Sequence, residues 1–229
     1  SLEYALARAR LTALTTELVD QAVDIFANRI PADRSKWQEA DRYGYALALL
    51  QAARPAEAMK EFTALLEQRD SIIAYHIGLA RAQLAAGDSA LAMVTFEDAL
   101  ALFPRNVSLV THYGRALIQT GDAARAHKLL LDLVNNLDYT PAQVRLLALA
   151  ASAAGDTADA HYYMSEVHVL SGDLQLAVGQ LDLALASPDL NDVQRARFEA
   201  RRDEIREHIP GKRKKRKPSP RDDTTQAGR

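Results

Sequence analysis

The 229-residue chain has no cysteine, ten glycines, eight prolines and few β-branched residues. The absence of cysteine excludes disulfides and thiolate-bound zinc, and is compatible with either cytosol or periplasm. So few helix breakers, set among abundant alanine and leucine, favour helix along the whole length. No run reaches the roughly 18 apolar residues that a membrane span needs. The N-terminus also lacks the charged, apolar and cleavage segments of a secretory signal. It opens on Ser1-Leu2-Glu3 without a methionine, as expected of a piece cut from a longer protein, so the missing leader says nothing about compartment. What is present, 48% apolar and 25% charged residues, is the composition of an ordinary globular protein large enough to bury a core.

Charge is unevenly spread. The tail 211–229 holds eight of the 28 Lys/Arg and two of the 30 Asp/Glu, which leaves residues 1–210 with 20 against 28. A body of that sign is a poor nucleic-acid binder, because phosphate affinity comes from basic surface. No nucleic-acid partner is therefore expected.

One spacing dominates the middle of the chain. Gly87-Asp88, Gly121-Asp122 and Gly155-Asp156 follow one another at 34 residues. Ala58, Ala92, Ala126 and Ala160 keep that step, as do Phe62, Phe96, Leu130 and Met164, and then Leu65, Ala99, Leu133 and Val167. Each Gly-Asp reads as a helix end followed by a helix start: glycine takes the left-handed conformation, and aspartate caps the next exposed N–H groups. The alanines then let two helices approach, the aromatic fills the space between them, and Pro104 stops the second helix. Thr140-Pro141-Ala142-Gln143 adds a capping-box start.

A 34-residue period of two helices is the signature of tetratricopeptide repeats, and the chain resembles that family over residues 39 to about 190. Unit 73–106 matches best, with His76 where the family places an aromatic; unit 39–72 lacks the turn glycine and offers Pro55 as its helix start. The resemblance implies an all-α, right-handed superhelical solenoid of helix pairs. Its expected organisation is an N-terminal helix and connector (1–36), repeats (37–190), a capping helix (191–210) and a disordered basic tail (211–229). Gly172-Asp173 falls half a period after Gly155-Asp156, so helix 157–170 is expected to pair on both sides. Residues 1–30 are predicted as one helix with Leu11, Leu14, Leu18, Ala22 and Ile25 buried and Pro31 as its break.

Three blocks carry a narrower resemblance: EYALARAR (3–10), AHYYMSEVHVLSGDLQLAVGQLDLAL (160–185) and QRARFEARRDEIRE (194–207). Together they are similar to the repeat-bearing half of the barrel-assembly-enhancing zinc metalloproteases of the bacterial periplasm. That family's implied order is signal peptide, protease domain with an H-E-x-x-H helix, then repeats. The chain has no H-E-x-x-H, so the resemblance implies that zinc and the active site lie outside it. The implied role is a non-catalytic periplasmic scaffold that holds a protease against the outer-membrane barrel assembly machinery or its substrates. A free-standing adaptor in another envelope or cytosolic assembly pathway is the alternative; an upstream H-E-x-x-H helix separates the two.

No catalytic, cofactor or metal residues are expected in the chain itself. Its serines lie in no nucleophile elbow. His161 and His168 are seven residues apart, about 10 Å along a helix and too far for joint ligation. The site is instead expected in the concave groove, for a protein or extended peptide. At the family's groove positions stand Tyr43, Leu47 and Leu50; Ile77, Arg81 and Leu84; Thr111, Arg115 and Ile118; then Arg145, Leu149 and Ser152. A stack of guanidinium groups beside apolar residues suits a carboxylate-bearing peptide. The competing reading pairs those arginines with acids such as Asp88 or Asp122. The Lys and Asn of the family's chaperone-binding clamp are absent. The tail, with its KRKKRK run, reads as a solvated terminus or an electrostatic contact with anionic lipid or an acidic partner.

Overall fold

The computed structural model describes residues 1–29 and 38–209; the expected connector, with Pro31, and the basic tail lie outside them. Among the described residues the chain forms twelve helices and no strand. In order they are α1 (Leu2–Thr15), α2 (Val19–Ala27), α3 (Glu39–Gln51), α4 (Pro55–Gln68), α5 (Ile73–Ala85), α6 (Ser89–Leu102), α7 (Val107–Gln119), α8 (Ala123–Asn136), α9 (Pro141–Ala153), α10 (Thr157–Ser171), α11 (Leu174–Leu185) and α12 (Asp192–His208). From α3 onward each helix packs on its chain neighbours, and α3, α5, α7 and α9 also touch in succession. That arrangement is a solenoid with one row of helices along one side.

The turns are built from the repeated dipeptide. Gly87 has φ +86°, and Asp88 N–H donates to the Gln83 carbonyl at 3.0 Å, closing the helix end. The Asp88 carboxylate then accepts from Leu91 N–H at 3.0 Å, and Asp122 and Asp156 repeat the cap on Arg125 and Asp159. Where the glycine is missing the backbone keeps the same path. Ala53, one period before Gly87, takes φ +54°, and Arg54 N–H donates to the Leu49 carbonyl at 2.9 Å.

Between helices the packing follows the period. Ala58, Phe62, Leu65, Ala92, Phe96, Ala99, Ala126, Leu130 and Leu133 are all buried. Two contacts set the spacing. Phe26 lies against Gly44 and Phe62 against Gly78, so closely that a Cβ on either glycine would sit 2.3 or 2.2 Å from the ring. At the next step Phe96 instead stacks on Tyr113, centroids 5.2 Å apart. The fourth step loosens: Val167 stays buried as the period implies, but Met164 is only half-buried and Tyr163 joins the core in its place. Helix α10 packs equally on α9 and α11, as the half-period glycine implied. At the C-terminal end α12 closes the stack, burying Phe198 and Ile205 and pairing Arg201 with Glu166 at 2.7 Å.

The N-terminal expectation needs correcting. Residues 1–30 do not form one helix; the chain breaks between Thr15 and Val19. The Thr15 and Thr16 hydroxyls turn back to donate to the Leu11 and Thr12 carbonyls, a pattern that competes with helix propagation. The break rotates the apolar stripe, so Leu11 and Leu18 are 63% and 67% exposed while Leu6, Ala9, Ala13, Ala22, Val23 and Phe26 are buried. Helix α1 packs chiefly on α3 and hardly on α2.

Two substitutions check this packing by thermal or denaturant unfolding. Ala53→Gly relieves a left-handed alanine and is expected to stabilise the fold by ~1 kcal/mol, whereas a loss would contradict the turn assignment. Gly78→Ala forces Phe62 out of a buried seat and is expected to destabilise by roughly 1–3 kcal/mol. A neutral result would show that the contact does not set the helix spacing.

Candidate functional site

The groove positions expected from the sequence fall on the successive helices α3, α5, α7 and α9, but the structure divides them between two cavities. The first, about 270 Å³, is lined by Tyr43 and Leu47 from α3 and by Ile73, Ala74, Ile77, Gly78 and Arg81 from α5. Asn106, Ser108 and His112 come from the start of α7, and Arg10 reaches in from α1. The second, about 350 Å³, holds Arg145, Leu149 and Ser152 with Thr157, Ala160, His161, Met164 and Gln180. Thr111, Arg115 and Ile118 line neither. The Thr111 hydroxyl donates to the Val107 carbonyl at 2.7 Å, and Ile118 leans on the core. Arg115 is exposed and Leu149 54% exposed, so both are open to solvent.

The electrostatics of the first cavity are one-sided. Arg10, Arg81 and Arg115 make no ion pair or side-chain hydrogen bond among the described residues, and the cavity lining contains no acid. The acids proposed as their partners are occupied elsewhere, since Asp88 and Asp122 cap α6 and α8. Other arginines of the body are paired: Arg69 with Glu39 at 3.0 Å, Arg125 with Glu97 at 2.8 Å and Arg201 with Glu166. Burial pushes the Arg81 guanidinium below its ordinary value, and the like charges of Arg10 and Arg115 add to that effect. Burial also pushes His112 down to about 4, helped by Arg81, Arg115 and Arg10, so it is neutral at pH 7. The Tyr43 hydroxyl moves up, chiefly by burial, while Arg10 and Arg81 pull the other way. Two cations, a neutral imidazole and a phenol thus face a partly dry space with no acid in its lining, and the exposed Arg115 adds its field from outside.

Sequence reasoning missed Arg10, Asn106, Ser108 and His112. Arg10 lies outside the period, and only the packing of α1 on α3 brings it across. His112 stands beside Thr111, a groove position, and helix rotation alone decides which of the two faces the cavity.

Three further histidines have hydrogen-bond partners. His76 Nε2 lies 2.7 Å from the Asp70 carbonyl, His127 Nε2 3.3 Å from the Tyr163 hydroxyl and His161 Nδ1 2.8 Å from Gln180 Oε1. Among the described residues no three His, Asp or Glu side chains gather as zinc ligands would. The zinc that the narrower resemblance implies is expected outside this chain, and no chemistry is assigned through it. No described helix is long and apolar enough to cross a membrane.

Comparison with known proteins agrees with the geometry. The tetratricopeptide repeat family matches residues 83–149. The beta-barrel assembly-enhancing protease of Yersinia pestis is 28% identical over 214 residues, 90% of this chain and 42% of the relative. The chain thus spans about two fifths of that relative's length. Among solved structures, the MamA protein superposes with a TM-score of 0.53 at 12% identity, covering 82% of this chain and 98% of that one. MamA from Desulfovibrio magneticus RS-1 gives 0.51 at 14% identity, covering 85% and 100%. At such identities the structural likeness speaks for fold alone. Residues 83–149 thus match the tetratricopeptide repeat family, a kind of scaffold that supports protein–protein interaction; the helical solenoid resembles solved repeat structures, and 90% of this chain resembles the beta-barrel assembly-enhancing protease.

Proposed function

We propose that the chain is the non-catalytic scaffold of a periplasmic zinc metalloprotease acting in outer-membrane protein assembly and quality control. In this reading it holds a protein or an extended peptide in its groove and so brings the protease to the barrel assembly machinery or to that machinery's substrates. The narrower assignment draws on the similarity over 90% of the chain. The zinc would lie outside the described residues.

The observation that carries the binding role is that Arg10 and Arg81 line the first cavity beside Tyr43, Leu47 and Ile77, and that they and the exposed Arg115 have no ion-pair partner among the described residues. Cations gathered without acids are costly to hold together, and a groove that keeps them gains by receiving an anionic partner. Apolar neighbours supply the area, and the guanidinium groups supply orientation and selectivity. The Arg145 and Leu149 cavity gives the same partner a second foothold further along the solenoid.

The test is retention of purified β-barrel assembly machinery on the immobilised chain. Arg81→Glu with Arg115→Glu is expected to cut retention about tenfold or more while helical circular dichroism stays unchanged. Equal retention by the variant and the parent chain would contradict the reading.

A further inference from the structure

Helix α1 carries two apolar stripes, and the fold uses one of them. Leu6, Ala9 and Ala13 are buried, in the core that α1 shares with α3. Tyr4, Ala7, Leu11 and Leu14 recur at steps of three, four and three on nearly the opposite side, and Leu18 continues the step just past the helix end. All five are exposed, Tyr4, Leu11, Leu14 and Leu18 by 69%, 63%, 40% and 67%. With Val19 alongside they bare roughly 500 Å² of largely apolar surface, the size at which a patch marks an interaction site. The two ends of the solenoid differ in this respect. At the C-terminal end α12 exposes Arg195, Glu199, Asp203 and Glu207, the polar cap that such stacks need. At the N-terminal end no described helix covers the outer stripe, because α1 hardly touches α2.

We infer that this face pairs with the same face of a second copy of the chain, the two α1 helices lying parallel about a two-fold axis. Alternating steps of three and four are the seam of a two-stranded coiled coil, with Tyr4 and Leu11 at one core position and Ala7 and Leu14 at the other. The flanking charges choose the direction. In the parallel pairing Glu3 of each copy meets Arg8 of the other, and neither side chain makes an ion pair within its own chain among the described residues. An antiparallel pairing would set Glu3 against Glu17, Arg8 against Arg8 and Arg10 against Arg10, like charges throughout. Head-to-tail stacking would press the apolar stripe onto the charged side of α12, so the association closes as a pair. Two such faces cover roughly 1,000 Å², where specific interfaces begin. The pairing uses the side of α1 away from α3. Arg10, which lines the first cavity, comes opposite Thr15 of the other copy and gains no acid.

Sedimentation velocity of the full chain from about 1 to about 100 µM tests the inference, with a monomer–dimer equilibrium expected inside that range. Leu11→Gln with Leu14→Gln should raise the dimer dissociation constant about tenfold or more while helical circular dichroism stays unchanged. Glu3→Arg should weaken pairing about three- to tenfold, and adding Arg8→Glu to it should restore the parent value. Monomer throughout the range, a dimer indifferent to Leu11 and Leu14, or assemblies that keep growing with concentration would overturn the inference. So would tighter pairing on Glu3→Arg, the mark of an antiparallel seam, or no recovery on adding Arg8→Glu. If the chain stays monomeric and binds phosphatidylglycerol vesicles through Leu11 and Leu14, the face serves a lipid surface and the inference fails. Arg81→Glu with Arg115→Glu should leave the dimer dissociation constant unchanged, which keeps this result separate from that of the groove.

Discussion

The architecture depends on how closely successive helices are allowed to approach. Phe26 on Gly44 and Phe62 on Gly78 place an aromatic ring where any side chain on the facing residue would collide. The ring then acts as a spacer of fixed thickness between one helix pair and the next. The buried alanines at 92, 99 and 126 keep the helices in register around it. Cores of this density tolerate neither a void nor an extra methyl at such points. Because each pair touches only its neighbours, the step propagates along the stack and the row α3, α5, α7, α9 is left facing one way.

That row carries the groove arginines Arg81, Arg115 and Arg145. The acids nearest in sequence to the groove arginines are used to start helices, which removes them as counter-ions. Acids on the second helices of the pairs serve structure too: Glu97 accepts from the Tyr113 hydroxyl at 3.0 Å and pairs with Arg125, while Glu166 anchors Arg201 of the closing helix. A chain with an acidic body thereby presents a cationic hollow. Net charge alone spoke only against nucleic acid; the distribution of charge leaves the first cavity cationic.

Much of this was legible in the sequence. The 34-residue step, the Gly-Asp turns and the small–aromatic–small triplets specified the helix pairs, because they are local signals repeated at fixed distance. Ala53 was not legible as a left-handed residue, since propensity disfavours it and only the register reveals the turn. The break after Thr15 was hidden because the apolar residues of 1–30 fit one helical stripe when read without tertiary partners. Gly44 and Gly78 carry no turn signal and look like helix weaknesses until their aromatic partners are seen. At the site, Arg81 was found because it follows the period. Arg10 and His112 were not, since one comes from outside the repeats and the other depends on a helix rotation finer than the pattern resolves.

The central claim is that packing leaves the guanidinium groups of Arg10, Arg81 and Arg115 without partners among the described residues. Nitrogen-15 NMR of the arginine Nε–Hε groups tests it most directly, with Arg201, bonded to Glu166 at 2.7 Å, as an internal standard. The account predicts that the Nε–Hε protons of Arg10, Arg81 and Arg115 exchange with water much faster than that of Arg201 in the free chain. Protection of the three groove arginines equal to that of Arg201 would mean that the chain neutralises its own groove, and would contradict the account.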